Sequence, residues 1–75
     1  MKEVLELIAK SLVDDADAVS VTEVEGEQSV ILELRVAEGD MGKVIGKQGR
    51  IAKAIRTVVK AAASREDKRV VVEII

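Results

Sequence analysis

Cysteine, histidine, proline and all three aromatic residues are missing from this 75-residue chain. Without cysteine there is neither a disulfide nor a thiolate metal site. Without histidine the commonest general base and metal ligand is gone. Without Phe, Tyr or Trp no nucleobase can stack on an aromatic platform, which argues against the nucleic-acid binders that depend on one. Long hydrophobic runs are missing too, so no segment is expected to span a membrane. The opening MKEVLELIAK carries acids where a signal peptide has a basic flank and an unbroken apolar stretch, and the expected compartment is the cytoplasm. Catalysis would have to rest on paired carboxylates. The Asp and Glu clusters fall in turns and on solvent faces instead, so an enzyme is not expected and no cofactor is implied.

What is present is an ordinary globular balance, 48% hydrophobic and 35% charged, which excludes a disordered chain. The length suits one small domain over residues 1–75, with a radius of gyration near ~11 Å and no room for a deep enclosed site. So small an aliphatic core leaves little stability margin, and every apolar face should be in use.

Val4, Leu5, Leu7, Ile8 and Leu12 fall at helical spacing and predict an amphipathic helix over 2–13. Asp14, Asp15 and Asp17 follow it, where carboxylates oppose the helix dipole and favour a break. Val19 and Val21 share one side of a loosely alternating stretch. Val30, Leu32, Leu34 and Val36 alternate cleanly with Ile31, Glu33 and Arg35. Strands over 19–25 and 28–37, joined at Gly26, should form an antiparallel hairpin. Asp40 is placed to N-cap a short helix ending at Ile45. After Gly46–Gly49, the spacing of Ile51, Ala54, Ile55, Val58, Val59 and Ala62 predicts a helix over 50–64 with those residues facing inward. The β-branched run 70–75 reads as a last strand. The order is α-β-β-α-α-β, an α+β domain. A crossover through two helices permits parallel pairing of the second and third strands. The expected architecture is a three-stranded mixed sheet covered on one face by three helices.

The net charge of −2 hides a polarised molecule. Residues 1–38 hold 3 basic and 10 acidic side chains, whereas 39–75 hold 9 basic and 4 acidic. Between 40 and 63 the cations are Lys43, Lys47, Arg50, Lys53, Arg56 and Lys60, against Asp40 alone. Arg56 and Lys60 form an i, i+4 like-charge pair, which costs an isolated helix a few tenths of a kcal/mol. A merely solvated helix face more naturally mixes signs.

The segment with chemical content is Gly42-Lys43-Val44-Ile45-Gly46-Lys47-Gln48-Gly49-Arg50-Ile51. Two helices meet here at a turn bracketed by glycines, which permit positive φ and close backbone approach. The free amides at the start of the 50–64 helix favour an anion over the turn. Lys43, Lys47 and Arg50 add positive charge, and Ile45 and Ile51 flank the spot with apolar surface. A phosphate seat beside an aliphatic strip suits a sugar-phosphate backbone with its bases laid against the strip. A bare G-x-x-G arises by chance in roughly one chain in three of this length. This chain holds a second copy, Gly39–Gly42, with an acid inside and no basic flank. The longer V-I-G-x-x-G-x-x-I between two helices is far rarer. A P-loop is one residue out of register here and lacks its Lys-Ser/Thr, and no G-x-G-x-x-G exists. The plain alternative is a tight helix–helix turn that needs glycine only for shape.

At these residues the chain resembles the KH family of RNA-binding domains, and its element order is similar to the type II form. V-I-G-K-Q-G-R-I-A-K matches the family's Ile-Gly-x-x-Gly signature, and the resemblance extends over essentially the whole chain. In size and in the run VIGKQGRIAKAIRTVVKAAA it is similar to small stand-alone bacterial proteins of the KhpA type. The resemblance implies that Gly46, Lys47, Gln48 and Gly49 clamp the backbone of about four single-stranded nucleotides. Lys43, Arg50 and Lys53 would add charge. Val44, Ile45 and Ile51, with the strand at 69–74, would line a groove for bases. It also implies an RNA chaperone that forms homodimers or pairs with a larger KH protein of the KhpB (Jag/EloR) kind, with links to cell-wall growth and division. A second reading makes the chain mainly a protein-interaction subunit. The run Ala61-Ala62-Ala63 on the long helix permits close helix approach, and a small domain gains stability from a partner.

Overall fold

A computed structural model describes residues 2–64 and 67–75. Six main elements follow one another: α1 (Lys2–Leu12), β1 (Ser20–Glu25), β2 (Ser29–Arg35), α2 (Met41–Ile45), α3 (Arg50–Ala62) and β3 (Arg69–Ile74). Short 3₁₀ turns at Ala16–Ala18, Glu38–Asp40 and Lys47–Gly49 lead into β1, α2 and α3. The sheet order is β1-β2-β3. β1 runs antiparallel to β2 with Val21 opposite Leu34, and β2 runs parallel to β3 with Leu32 opposite Val72. This is the α-β-β-α-α-β arrangement and mixed sheet that the periodicities predicted.

The pleat explains the core. Alternate residues of a strand share a face. Val30, Leu32 and Leu34 of β2 point with Val70 and Val72 of β3 and Val21 of β1 into the helical layer, and all six are buried. From above, Leu5 and Ala9 of α1, Val44 of α2, and Ile55 and Val59 of α3 close over them. Each large aliphatic side chain taken fully out of water contributes about 1.5–3 kcal/mol. No helix among the described residues is long and apolar enough to cross a membrane.

Several expectations need correcting. In α1 the inward face includes Ala9, while Leu7 points out and is 69% exposed. The alternation of β2 ends at Arg35, so Val36 lies beyond the strand although it still packs against the core.

The widest departure is in α3. Ala52, Ile55, Val59 and Ala63 are buried, whereas Ile51, Ala54, Val58 and Ala62 are not. Both sets keep helical spacing, but a helix lying on a sheet turns only one of two adjacent stripes fully inward. Here that stripe lies one position C-terminal to Ile51, Ala54, Val58 and Ala62. The helix itself stops at Ala62, where Ala63 takes φ −92°, ψ 8° and ends the regular turn.

Asp40 also takes a different role. It lies at φ −102°, ψ −3° because a 3₁₀ turn runs straight into α2, whereas a capping residue needs extended backbone. Its carboxylate makes no cap and is buried instead. It accepts the Asp15 backbone N–H at 3.0 Å and the Lys43 ammonium at 3.2 Å.

Candidate nucleic-acid interface

The turn between α2 and α3 is built from left-handed backbone. Gly46 sits at φ 74°, ψ 176°, a region open to glycine almost alone. A Cβ there would lie 2.3 Å from Cγ1 and 2.8 Å from Cβ of Ile51, so the position is closed sterically as well. Gly49, at φ 73°, ψ 14°, faces open space and needs glycine only for its dihedral. Between them Gln48 takes φ 58°, ψ 22°, the only non-glycine with positive φ among the described residues. Its amide oxygen accepts a hydrogen bond from the Arg50 guanidinium at 3.3 Å.

Gly49 is left-handed and Arg50 right-handed, at φ −63°, ψ −39°. Both amides are spent inside the turn: the Gly49 N–H donates to the Gly46 carbonyl at 3.2 Å and the Arg50 N–H to the Lys47 carbonyl. What attracts an anion to this mouth is the start of α3, whose dipole places partial positive charge there. Lys47, Gln48, Arg50 and Lys53 are all exposed around this mouth. Ile45 and Ile51 stand beside it at 38% and 36% exposure.

Two residues of the sequence-derived set lie elsewhere. Val44 is at 0% exposure in the core and shows a ligand no surface. Lys43 is engaged by acids: its ammonium pairs with Asp14 and with Asp40. Those two carboxylates, Asp14 foremost, hold the Lys43 pKa above its ordinary value. Asp40 is held below the usual aspartate value, first by the Asp15 N–H and then by Lys43, against the opposing effect of burial. The acidic turn after α1 thereby ties down a cation next to the loop.

α3 presents two different sides. Toward β3 a groove is lined by Arg56, Lys60, Arg69 and the stretch Val70–Val72. Arg56 reaches across it and donates from Nε to the Val72 carbonyl at 3.3 Å. Toward α1 a wholly apolar groove is lined by Ile8, Leu12, Ile51, Ala54, Ile55 and Val58. The structure therefore sets Ile51 against α1, away from β3. Sequence reasoning left Arg56 and Lys60 out of the site and took in Arg69 only as the first residue of the strand at 69–74. The unfavourable Arg56–Lys60 pairing was the available signal, and only the tertiary fold adds Arg69 to it.

A family model described as KhpA/KhpB, KH domain matches residues 2–74. The chain belongs to that family. It is similar to the RNA-binding protein KhpA of Clostridium acetobutylicum, 77% identical over 75 residues with both chains covered in full. It is 56% identical to the RNA-binding protein KhpA of Aquifex aeolicus, covering 100% of this chain and 95% of the other. Among solved structures it is similar to part of Aquifex aeolicus Era, with a TM-score of 0.62, 19% identity, and coverage of 97% of this chain and 30% of that one. It also matches part of Era in complex with a 16S ribosomal RNA segment, with a TM-score of 0.59, 22% identity, and coverage of 96% and 28%. At those identities the two structures bear on the fold alone. The element order and mixed sheet are those of a type II KH domain. The KhpA/KhpB family consists of binding domains, and this chain is not an enzyme.

Proposed function

We propose that this KH domain binds single-stranded RNA, gripping about four nucleotides with the Gly46-Lys47-Gln48-Gly49 loop. The observation that carries the reading is the glycine-bracketed turn at the start of α3, ringed by the exposed cations Lys47, Arg50 and Lys53. One phosphate sits over that turn, at the positive end of the α3 dipole. Ile45, exposed beside the loop, gives the neighbouring sugar and base apolar contact, and the strand at 69–74 lines the groove on the side of α3 away from Ile51. KhpA relatives carry the name RNA-binding protein, which fits this assignment. The domain acts as an RNA chaperone in the cytoplasm, in a pathway tied to cell-wall growth and division.

The reading is tested by the salt dependence of binding. With Lys43 held by its acids, three cations remain for phosphates. Affinity for a short single strand should then fall with a log–log slope of about −2. A slope near zero, or tighter binding to duplex than to single strand, would contradict the grip.

A protein partner is the second reading, and it is compatible with the first. The apolar groove between α1 and α3 and the exposed Ala61 and Ala62 favour it. The partner is a second copy of this chain or a larger KH protein of the KhpB type, and a dimer would double the RNA contacts.

A further inference from the structure

Lys43 lies on α2 less than one helical turn before Gly46, where the loop begins. Its ammonium is held between two carboxylates of unlike placement. The Asp40 side chain is 6% exposed and lies on the inner side, whereas the Asp14 side chain is 84% exposed and lies on the outer side. Asp40 is fixed from within, since it also accepts the Asp15 backbone N–H at 3.0 Å. The Asp14 carboxylate has no second partner among the described residues. An ion pair this exposed contributes little to folding. One cation against two carboxylates also leaves the spot beside the anion seat net negative.

We propose that Asp14 weakens the RNA grip by holding Lys43 out of it, so that the turn after α1 sets the affinity of the loop. The inference rests on the RNA-binding reading above. An ammonium has three N–H donors. Asp40 takes one from the inner side. Asp14 takes the outward side, where a phosphate would come, and its own charge repels that phosphate. Removing the Asp14 carboxylate leaves the inner bond in place and frees the outward N–H groups. Lys43 then becomes a fourth cation beside Lys47, Arg50 and Lys53. On a single strand each added phosphate contact steepens the log–log salt slope by about 0.7, which near 0.1 M salt amounts to about fivefold in affinity. A pair that served only to pin the turn to α2 would alter stability and leave the salt slope alone.

The test measures binding of a short fluorescent oligouridylate by anisotropy across a series of salt concentrations. Asp14→Asn should bind about fivefold tighter than wild type near 0.1 M salt, with a slope steeper by about 0.7. Asp14→Ala should do the same without an amide that could replace the bond to Lys43. Asp14→Asn combined with Lys43→Gln should lose the gain in both affinity and slope. Asp17→Asn removes an exposed acid from the same turn that makes no ion pair with Lys43, and should leave both readouts near wild type. Asp14 is exposed, so its single variants should melt near wild type. Asp14 variants that bind with wild-type affinity and slope overturn the inference and leave the RNA grip standing. So does a gain that survives Lys43→Gln, or one that Asp17→Asn reproduces, since either reduces the effect to overall charge. Wild type that does not bind the oligonucleotide overturns the RNA-binding reading, and this inference with it.

Discussion

The two glycines of the loop are required for different reasons, and a methyl group separates them. At Gly49 alanine meets only its dihedral cost, about 1–2 kcal/mol for a left-handed residue, since nothing lies within 4 Å of an added Cβ. At Gly46 alanine meets a conformation reserved for glycine and collides with Ile51 2.3 Å away. Thermal melts should rank Gly46→Ala well below Gly49→Ala, and equal melting temperatures would contradict this account of the turn. Asp40 supplies a residue-scale pH signature. Its folded pKa is depressed, so its contribution to stability is complete above the ordinary aspartate value near ~4. That contribution is lost as the pH falls through the lower folded value. Lys43 is the mirror case. Its raised pKa stabilises fully below the ordinary lysine value, and that contribution fades as the pH climbs through the folded one. Denaturation of wild type and Asp40→Asn across pH 2 to 7 should show the wild-type advantage shrinking below about pH 4. The contacts of Asp40 were not legible in the sequence. Asp40 and Asp15 lie 25 positions apart, and only the folded chain makes one the acceptor of the other's N–H.

Among the elements, α3 shows best what periodicity can and cannot say. The spacing of Ile51, Ile55, Val58 and Val59 identified a helix. It did not decide which of two adjacent stripes the sheet would take, because the stripes are offset by one residue, about 100° around the axis. The sheet took Ala52, Ile55, Val59 and Ala63. Neighbouring valines should therefore respond differently to truncation. Val59→Ala, fully buried, should cost about 2 kcal/mol. Val58→Ala, at 49% exposure, should cost only a few tenths. Urea denaturation measures both, and similar costs would contradict the assigned facing. The exposed stripe bears on assembly. Ala61→Glu and Ala62→Glu both lie on the surface, so either should weaken self-association or partner capture while leaving the monomer folded. Sedimentation at high micromolar concentration reads this directly. A wild type that stays monomeric there and finds no partner in lysate would remove the dimer reading. The hairpin, by contrast, was legible to within two residues. Val30, Leu32 and Leu34 bury one face of a sheet with helices on that side only, and such a strand leaves a period of two in the sequence.

For the molecule as a whole, charge is separated along the chain and brought together by ion pairs. The N-terminal half carries the acids and the C-terminal half the cations. The two halves touch at Asp14 and Lys43 and again at Glu25 and Lys68. The first ion pair removes one cation from the loop's free set, and the exposed cations of α3 remain, so a nucleic acid should approach from the α3 side. The loop glycines and their flanking cations were readable because a left-handed turn and an anion seat restrict residue types locally. The basic groove between α3 and β3 was not, since Arg56 and Arg69 come from elements joined only by folding. The central claim is that the loop from Gly46 to Gly49 seats an RNA phosphate. It is tested most directly by changing Lys47→Asp and Gln48→Asp together. Both side chains are exposed and both glycines remain, so circular dichroism and melting should stay near wild type. Two carboxylates would then face the phosphate, each repelling it by on the order of 1 kcal/mol or more at intermediate dielectric. The charge-assisted hydrogen bond that Lys47 offers a phosphate disappears as well. Affinity for single-stranded RNA should therefore fall at least about tenfold. A normally folded double variant that binds single-stranded RNA as well as wild type would contradict the account and place the phosphate seat elsewhere.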